Sequence, residues 1–587
     1  MEFQNHSPEG SGQAKNCQNC KKDFTIEPDD FAFYEKIKVP VPTFCSECRM
    51  QRRLLFRSER FLYKRKSDFS GKEIFSMWPQ ESDTKVYENS VWFSDKWDAL
   101  EHGKDYDFSK PFFEQLLDLR KNVPIYALST TLGVDSDYCN NFTALKNCYL
   151  VFSSNYSEDC MYGTGINHSK NCIDNIKVFK SENCHENFFV NSSFNVFFSA
   201  QCSDSMNIWF CKDCVGCNDC IGCIGLRNKS YYIFNKPYTK EEYQAEFQKF
   251  NFASYQAMKD FSKKVHEFWL KFPVKYMQGL KNSNVSGEYI KNSKNVLNSY
   301  LVSGGENLRY CSEINVEPVK DCYDYSVWGD KAELVYECMS CGLGVNNIKF
   351  CAECWPDFRD SEYSLFCQSS SNLFGCVGVR KKEYCILNKQ YTKEEYERLK
   401  EKIIKHMKEM PYKDASGMLY SYGEFFPGIF SGVFYNNSLA HEHFPLTKTE
   451  AERKGYFWKD ETKRAYVVTK KYSDLPDDIK EVPVSITSEI ISCQEWEENQ
   501  DIAVQHNCTE GFRILVSELE FYKKFSLPLP RRCPNCRYHE RIKWRNPMKL
   551  WHRKCMKPGC NNEFETSYAP DRPEIVYCET CYNNEVA

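Results

Sequence analysis

The chain has 587 residues, of which 42% are hydrophobic and 27% are charged. This length predicts about four domains, and the composition predicts that most of the chain folds. The formal net charge is only -4, so any affinity for nucleic acid must come from local basic patches. There is no apolar run near the roughly 18 residues that a membrane helix needs, and the N-terminal segment lacks the apolar core of a secretory signal. These features favour a cytoplasmic protein without membrane contact, in which 32 cysteines indicate bound metal or buried thiols rather than disulfides.

Two cysteine pairs lie near the N-terminus, each with the spacing Cys-x-x-Cys. Such knuckles supply four soft ligands of the kind that tetrahedral zinc prefers. With the helix-permissive stretch that follows, the pattern resembles the treble-clef class of zinc fingers, which implies a structural zinc site; four free thiols are the alternative. The candidate ligands are Cys17, Cys20, Cys45 and Cys48.

The second cysteine pair runs into a basic segment, residues 49–66, in which aromatic residues are interleaved with Lys and Arg. Such a segment can contact phosphates and stack on bases. The alternative is a solvated helix face that closes a small finger. The candidate nucleic-acid contacts here are Arg49, Arg52, Arg53 and Arg57.

A 12-residue period begins at Asn147 and continues to Asp219. Asn or Asp recurs once in each repeat and is followed by Cys, Val or Ile, which predicts a parallel β-solenoid with stacked turn residues. Each coil can take one repeat or two, and the sequence does not decide between them; two repeats are favoured. Because Val196 and Ile208 share the slot of Cys148, the cysteines in this slot are predicted to be reduced core thiols.

Five closely spaced cysteines end this region. Their spacing suits zinc or an iron–sulfur cluster, but one of them falls on the apolar slot. Buried thiols are therefore favoured, and an iron–sulfur cluster is not expected. The five residues are Cys211, Cys214, Cys217, Cys220 and Cys223.

The solenoid is itself repeated, because residues 225–243 match residues 378–396 at an offset of 153. Each copy ends in a capping box, and helices predicted at about 240–271 and 393–409 are expected to close the solenoid ends or pack along its side. The second copy carries two additional Cys-x-x-Cys pairs, for which zinc is favoured over stacked core thiols. Those candidate ligands are Cys338, Cys341, Cys351 and Cys354.

The C-terminal region repeats the first module, because an offset of 488 aligns residues 20–57 with residues 508–545 without a gap. Gln505 stands where Cys17 predicts a ligand, so His506 or, as the alternative, Cys493 is expected to complete the set. The other candidate ligands of this site are Cys508, Cys533 and Cys536. The basic residues recur as Arg537, Arg541, Lys543 and Arg545.

A second zinc site is predicted only in the C-terminal module. Its candidate ligands are Cys555, Cys560, Cys578 and Cys581. The corresponding positions of the N-terminal module are Ser67, Lys72, Glu88 and Val91. That module has therefore lost this site, and aromatic packing is expected to replace it.

These elements predict a multi-domain chain in which duplicated treble-clef-like zinc fingers at both ends flank a duplicated parallel β-solenoid (β-helix) with capping helices. The predicted parts are an N-terminal finger module, a first solenoid segment, a helical insert, a second solenoid segment, a helix, an aromatic-rich connector and a C-terminal double finger. Their ranges are 1–122, 123–235, 236–272, 273–390, 391–410, 411–490 and 491–587.

Three strings, FYKKFSLPLPRRCPNCR, NKPYTKEEY and GEFFP, and the layout around them resemble uncharacterised bacterial proteins that combine treble-clef-like zinc fingers with a cysteine-rich parallel β-solenoid. The resemblance implies a fold and no activity. One hypothesis is binding of RNA or a ribonucleoprotein by the two basic helices. The other is a protein-interaction scaffold that docks a partner on the solenoid flank, with three to four structural zinc ions. A cytosolic β-helix enzyme is the alternative, but the chain has no P-loop, no GxSxG and no catalytic Cys–His pattern, so a non-enzymatic role is favoured.

Overall fold

The computed structural model describes residues 12–460 and 466–586. Its helices are short except for two that lie beside the solenoid. They are α1 (Pro28–Lys36), α2 (Ser46–Leu54), α3 (Asn89–Trp92), α4 (Phe112–Asn122), α5 (Lys240–Phe247), α6 (Tyr255–Trp269), α7 (Lys393–Glu409), α8 (Leu439–His443), α9 (Lys448–Arg453), α10 (Gln494–Glu498), α11 (Gln500–Gln505), α12 (Val516–Phe525), α13 (Pro534–Ile542) and α14 (Glu579–Val586). No helix in the described ranges is both long and apolar enough to cross a membrane.

The N-terminal module consists of two small antiparallel hairpins and four helices. Its strands are β1 (Gln13–Asn16), β2 (Asp23–Ile26), β3 (Tyr63–Lys66), β4 (Glu73–Ser76), β5 (Val86–Tyr87) and β6 (Ile125–Tyr126). Strand β1 pairs with β2, β3 pairs with β4, and β5 runs parallel to β6. The last pairing joins the module to the start of the solenoid.

The first solenoid half is a stack of short strands that pair in parallel, except that the last strand is antiparallel to its neighbour. They are β7 (Thr130–Thr131), β8 (Asn140–Lys146), β9 (Phe152–Glu158), β10 (Thr164–Asn167), β11 (Lys170–Phe179), β12 (Glu182–Asn191), β13 (Phe194–Phe197), β14 (Ala200–Ser203), β15 (Met206–Trp209), β16 (Asn218–Ile221), β17 (Ser230–Ile233) and β18 (Lys236–Pro237). Residues 12 apart are paired, as Cys172 is with Cys184 and Val196 with Ile208. One 12-residue repeat therefore makes one coil, and the expectation of two repeats in each coil is wrong.

Each coil has four sides of three residues. Every third residue lies in the left-handed region, with φ between 50° and 55° from Asn147 through Leu150, Ser153, Tyr156, Asp159 and Tyr162. This conformation is unfavourable for Leu and Tyr, so the ladder between coils must stabilise it. The residue after each corner points inward, which explains why buried positions recur every three residues. A Cys-x-x-Cys spacing thus places two thiols on adjacent inner sides.

Hydrogen bonds between successive coils hold the stack together. The Oγ of Ser169 donates to the carbonyl of Asn167 (2.9 Å) and accepts from the backbone N–H of Ser181 (3.1 Å). At one outer corner the side-chain amide of Asn183 donates to Asn195 (3.0 Å). The predicted asparagine ladder is therefore present, and the next residue in each repeat points inward as expected.

The second solenoid half follows the same plan with some 13-residue coils. Its strands, with the preceding β19, are β19 (Pro273–Lys275), β20 (Gly279–Leu280), β21 (Ser283–Lys291), β22 (Lys294–Ser303), β23 (Gly305–Arg309), β24 (Ser312–Val316), β25 (Val319–Gly329), β26 (Ala332–Gly342), β27 (Asn346–Lys349), β28 (Arg359–Glu362), β29 (Ser371–Phe374), β30 (Glu383–Ile386) and β31 (Lys389–Gln390). Helices α5 and α7 begin directly after the two halves. Their predicted capping boxes are present, Thr239 with Glu242 and Thr392 with Glu395.

The two halves lie side by side and antiparallel. Lys177 forms an ion pair with Glu313 (2.7 Å), and one coil further along the first half Phe189 stacks on Tyr289 (4.6 Å between ring centres). Moving forward along one half therefore moves the contact backward along the other.

Several elements of the C-terminal module lie at a constant distance along the chain from elements of the N-terminal module. The remaining strands are β32 (Tyr412–Lys413), β33 (Leu419–Tyr420), β34 (Ile491–Ser492), β35 (Gly511–Phe512), β36 (Trp551–Lys554), β37 (Glu563–Thr566) and β38 (Ile575–Tyr577). Helix α13 matches α2, and β36 matches β3, at the offset of 488 seen in the sequence.

Each terminal module packs on the solenoid half that is distant from it in the sequence. Helix α2 packs on β25 and β26 of the second half, whereas α13 packs on β11 and β12 of the first half. Likewise β38 runs parallel to β19, as β5 does to β6. The N-terminal module shares one hydrophobic core with the second half and residues 412–458, and the C-terminal module shares another with α5, α6 and the end of the first half.

Candidate metal centres and arginine clamps

Three groups of four cysteines occur in the described residues, with all four sulfurs of each group within 4.8 Å of one another. Four sulfurs bound to one zinc ion at 2.3 Å with tetrahedral geometry lie about 3.8 Å apart. In the groups here, individual sulfur pairs lie 3.7, 3.7 and 4.0 Å apart. The donor sets therefore fit one tetrahedral ion each.

The first group contains Cys17, Cys20, Cys45 and Cys48. Strands β1 and β2 present the first pair, and Cys45 is the N-cap of α2. The Sγ of Cys17 accepts the backbone N–H of Cys45 (3.3 Å), and the Sγ of Cys48 accepts the side-chain amide of Asn19 (3.3 Å). Hydrogen bonds from the neighbouring thiols Cys45 and Cys48 lower the pKa of Cys17. These donors and the helix N-terminus favour thiolates, the form that binds metal.

The second group contains Cys493, Cys508, Cys533 and Cys536, so Cys493 occupies the place expected for His506. Strand β34 pairs with β35 and brings Cys493 next to Cys508, as β1 and β2 do for the first group. Helices α10 and α11 are inserted between these two cysteines, and this insertion defeats the offset of 488. His506 instead stacks on His539, with ring centres 4.5 Å apart.

The third group contains Cys555, Cys560, Cys578 and Cys581. The β36–β37 hairpin carries the first pair, and the second pair lies at the start of α14. Burial disfavours the thiolate of Cys578, but hydrogen bonds, including one from the backbone of Cys581, lower its pKa to about 7. In the N-terminal module Ser67 donates to Glu88 at this place, and Val91 is buried. A polar contact and apolar packing replace the thiols there.

The predicted site in the second solenoid half is not gathered as these groups are. Its four thiols occupy successive inner positions of two coils and are fully buried: Cys338, Cys341, Cys351 and Cys354. Each donates to the carbonyl two residues earlier, as Cys338 does to Tyr336 (3.3 Å). They do not form a group of four within 4.8 Å among the described residues, so one tetrahedral ion does not fit. Their Cys-x-x-Cys spacing is a consequence of three-residue sides.

The four candidate arginines of the N-terminal module are buried and bound to carboxylates instead of facing solvent. Asp324 binds both Arg49 (2.9 Å) and Arg53 (2.9 Å), whose exposed fractions are 2% and 0%. Arg52 binds Glu337 (3.0 Å) and Glu424 (3.1 Å). In addition, Arg57 lies 3.4 Å from Glu353 and 3.1 Å from Glu59. Burial alone would lower the pKa of Arg49, but Asp324 raises it, and the guanidinium stays charged.

The C-terminal module makes a similar set of contacts with the first half. Asp174 binds Arg537 (2.7 Å) and Arg541 (3.0 Å), and Arg541 also reaches Glu186 (3.0 Å). Both acids are left-handed corner residues in successive coils, as are Asp324 and Glu337. We call the two sets of contacts the arginine clamps. In each clamp, two arginines of one helix, α2 or α13, bind the same buried aspartate.

Burial corrects the predicted nucleic-acid interface. Of its eight candidates, Arg49, Arg52, Arg53, Arg57, Arg537 and Arg541 are buried. Arg545 is bound to Glu442 (2.7 Å) and is largely covered, whereas Lys543 remains exposed on the surface. Phosphates cannot reach the buried guanidinium groups while α2 and α13 are packed on the solenoid. The acids that hold them were missed in the sequence because no local motif marks a carboxylate on a distant coil.

In comparisons with known proteins, the chain matches no protein-family model and no curated protein.

Proposed function

We propose that this chain is a zinc-stabilised, non-enzymatic scaffold whose terminal fingers lock the two solenoid halves against each other. The observation that carries the proposal is the orientation of the basic helices. Their arginines are directed at buried carboxylates of the solenoid, so the feature that suggested RNA binding has a structural role.

Zinc is the metal that suits these fingers best. All twelve ligands in the three groups are cysteines, and closed sites of four thiolates are typical of structural zinc. Such sites leave no open coordination position for a substrate. This chemistry supports a structural rather than a catalytic ion.

The crossed arrangement gives the fingers their mechanical role. Cys45 caps α2 and Cys533 caps α13, and the same helices carry the clamp arginines. Metal binding thus positions α2 for Asp324 of the second solenoid half and α13 for Asp174 of the first half. The result is a closed and rigid body that can present its solenoid flank to a protein partner.

Two measurements on the full-length protein test this proposal. Metal analysis should find about three zinc ions per chain, and RNA binding should be weak with no steep dependence of log K on log salt. Lys543→Ala is the control for residual surface charge. Tight RNA binding with a steep salt slope in the intact, zinc-loaded protein would contradict the scaffold. Metal-free protein with unchanged thermal stability would contradict the role of zinc.

A further inference from the structure

One coil of the first solenoid half has a thiol on every inner side. Its inward residues are Cys211, Cys214, Cys217 and Cys220, and all four are fully buried. Among the coils that the structure describes, this composition occurs once. Cys223 lies on the next coil above Cys211, and Cys202 lies on the previous coil below Cys214.

The six thiols are neighbours in the lumen. Cys211 lies below Cys223 and Cys202 lies below Cys214, because Lys212 pairs with Ile224 and Ser203 pairs with Val215 in the ladder. Cys214, Cys217 and Cys220 follow Cys211 on successive inner sides, and the Sγ of Cys211 lies 3.6 Å from the carbonyl oxygen of Cys220. The solenoid lumen therefore contains six neighbouring sulfur atoms, and all six cysteines are buried from solvent.

Packing alone does not require these thiols. At the offset of 153, the second half fills the corresponding slots with Ser364, Cys367, Ser370 and Leu373. These residues are buried at the same inner positions. A solenoid coil can thus be closed with one thiol, and the first half has four.

We propose that this thiol-lined coil is a binding site for a soft monovalent cation, Cu(I). Within the described residues, no three of these sulfurs lie within 4.8 Å of one another, which disfavours a tetrahedral zinc ion and leaves pairs of sulfurs as ligands. Thiolates select soft metals such as Cu(I), an ion that is stable with only two sulfur ligands. The site is distinct from the three finger centres.

Binding exchanges protons for metal without a change of oxidation state. Each thiol that becomes a ligand releases its proton to solvent, and its hydrogen bond to a backbone carbonyl is broken, as for Cys211 with Trp209 (3.4 Å). The coil lies one coil from the end of the first half, where β17, β18 and α5 close the lumen. Local opening of this end is the shortest route for the ion.

The test adds Cu(I) under anaerobic conditions to full-length, zinc-loaded protein in the presence of the chelator bicinchoninate. Bound copper, released zinc and the luminescence of water-excluded Cu(I)–thiolate centres are measured together. The expected result is bound, luminescent copper without loss of zinc. Copper that binds only as zinc is released, or no copper binding at all, would overturn the proposal.

The chain itself supplies a matched variant and a control. Cys211→Ser, Cys217→Ser and Cys220→Leu combined copy Ser364, Ser370 and Leu373 of the second half, so the coil should still fold; circular dichroism checks this. The variant should lose the luminescence and the zinc-independent copper. Cys172→Val, which copies Val196, should retain both. Equal copper binding by the combined variant and the control would also overturn the proposal.

Discussion

Each solenoid half packs against the helix that follows it, but these contacts are ionic in the second half and aromatic in the first. In the second half Glu362 lies between Lys349 (3.0 Å) and Lys400 of α7 (2.9 Å), and its carboxylate is buried. The ladder pairs Lys349 with Glu362, and in the first half it pairs Phe197 with Trp209. By this pairing the matching residues of the first half are Phe197 and Trp209, and Phe247 of α5 matches Lys400 at the offset of 153. There Phe197 stacks on Trp209 with ring centres 4.2 Å apart, and Trp209 lies 6.0 Å from Phe247.

This difference shows which contacts the fold demands and which it merely accommodates. Both halves keep the coil geometry and the capping box, so neither of these two features depends on whether the contact with the following helix is ionic or aromatic. An ion triad and an aromatic cluster are energetically similar when both are complete. They differ in their response to pH, because only the triad titrates. The arginine clamps, in contrast, are ionic on both halves.

The largest expected effect comes from the metal centres, which both modules share. Cys48→Ser and Cys536→Ser should each remove one zinc ion per chain and destabilise the protein by at least about 4 kcal/mol, as expected for loss of a structural metal. Metal analysis and thermal unfolding measure the two quantities. Cys172→Val is the control and should cost less than about 1.5 kcal/mol. Unchanged zinc content in either variant would show that the cysteine is not a ligand.

The clamps should give the next largest effect, and it should be alike in both halves. Asp324→Asn leaves Arg49 and Arg53 without their shared charge, and Asp174→Asn does the same to Arg537 and Arg541. Each should lower the free energy of unfolding by about 3–5 kcal/mol, the cost of an uncompensated buried charge.

Chemical denaturation of both aspartate variants measures this loss. The exposed pair of Lys64 and Glu73 supplies the control, because Lys64→Ala should change stability by less than about 1 kcal/mol. If one clamp variant were as stable as wild type, the two modules would not be anchored in the same way.

The ion triad should make the free energy of unfolding depend on pH. Because the triad occurs only in the second half, this contribution should come from that half alone. Burial disfavours the charged form of Glu362, but Lys349 and Lys400 lower its pKa to about 2. Because the folded pKa lies below the ordinary value, the stabilisation is present above about pH 4.5 and is lost as the pH falls toward 2. It amounts to roughly 3 kcal/mol.

Replacing the triad with the residues of the first half tests this directly. The variant Lys349→Phe, Glu362→Trp and Lys400→Phe should lose that part of the acid dependence and keep its stability at neutral pH. Denaturation of wild type and variant from pH 7 to pH 3 gives the difference. Parallel curves over this range would mean that the triad does not titrate as its surroundings indicate.

The smallest effect concerns the two capping boxes. Thr239→Ala and Thr392→Ala each remove one hydrogen bond at a helix N-terminus and should cost about 1 kcal/mol. Hydrogen exchange at the first turns of α5 and α7 measures local opening. Lys240→Ala, just inside α5, is the control. If only one of the two variants loses stability, the helix in the other half is held by its side-chain contacts with the solenoid and not by its cap.

Much of the architecture was readable in the sequence, since it rests on local rules. The 12-residue period, the inward slot after each Asn, and the capping boxes all follow from repeating backbone geometry. The number of residues per coil did not follow, because left-handed corners at Leu150 or Tyr156 contradict local preference. Only the hydrogen bonds between stacked coils stabilise them.

The sequence by itself therefore determined the solenoid and eleven of the twelve clustered cysteines. The tertiary structure decided three further matters. It selected Cys493, because strand pairing compensates for an inserted helix pair. It showed that Cys338, Cys341, Cys351 and Cys354 are core residues, because three-residue sides imitate a metal-binding spacing. It turned the basic helices inward, because their partners are carboxylates on coils more than a hundred residues away, and charge on a helix does not reveal which surface that helix meets.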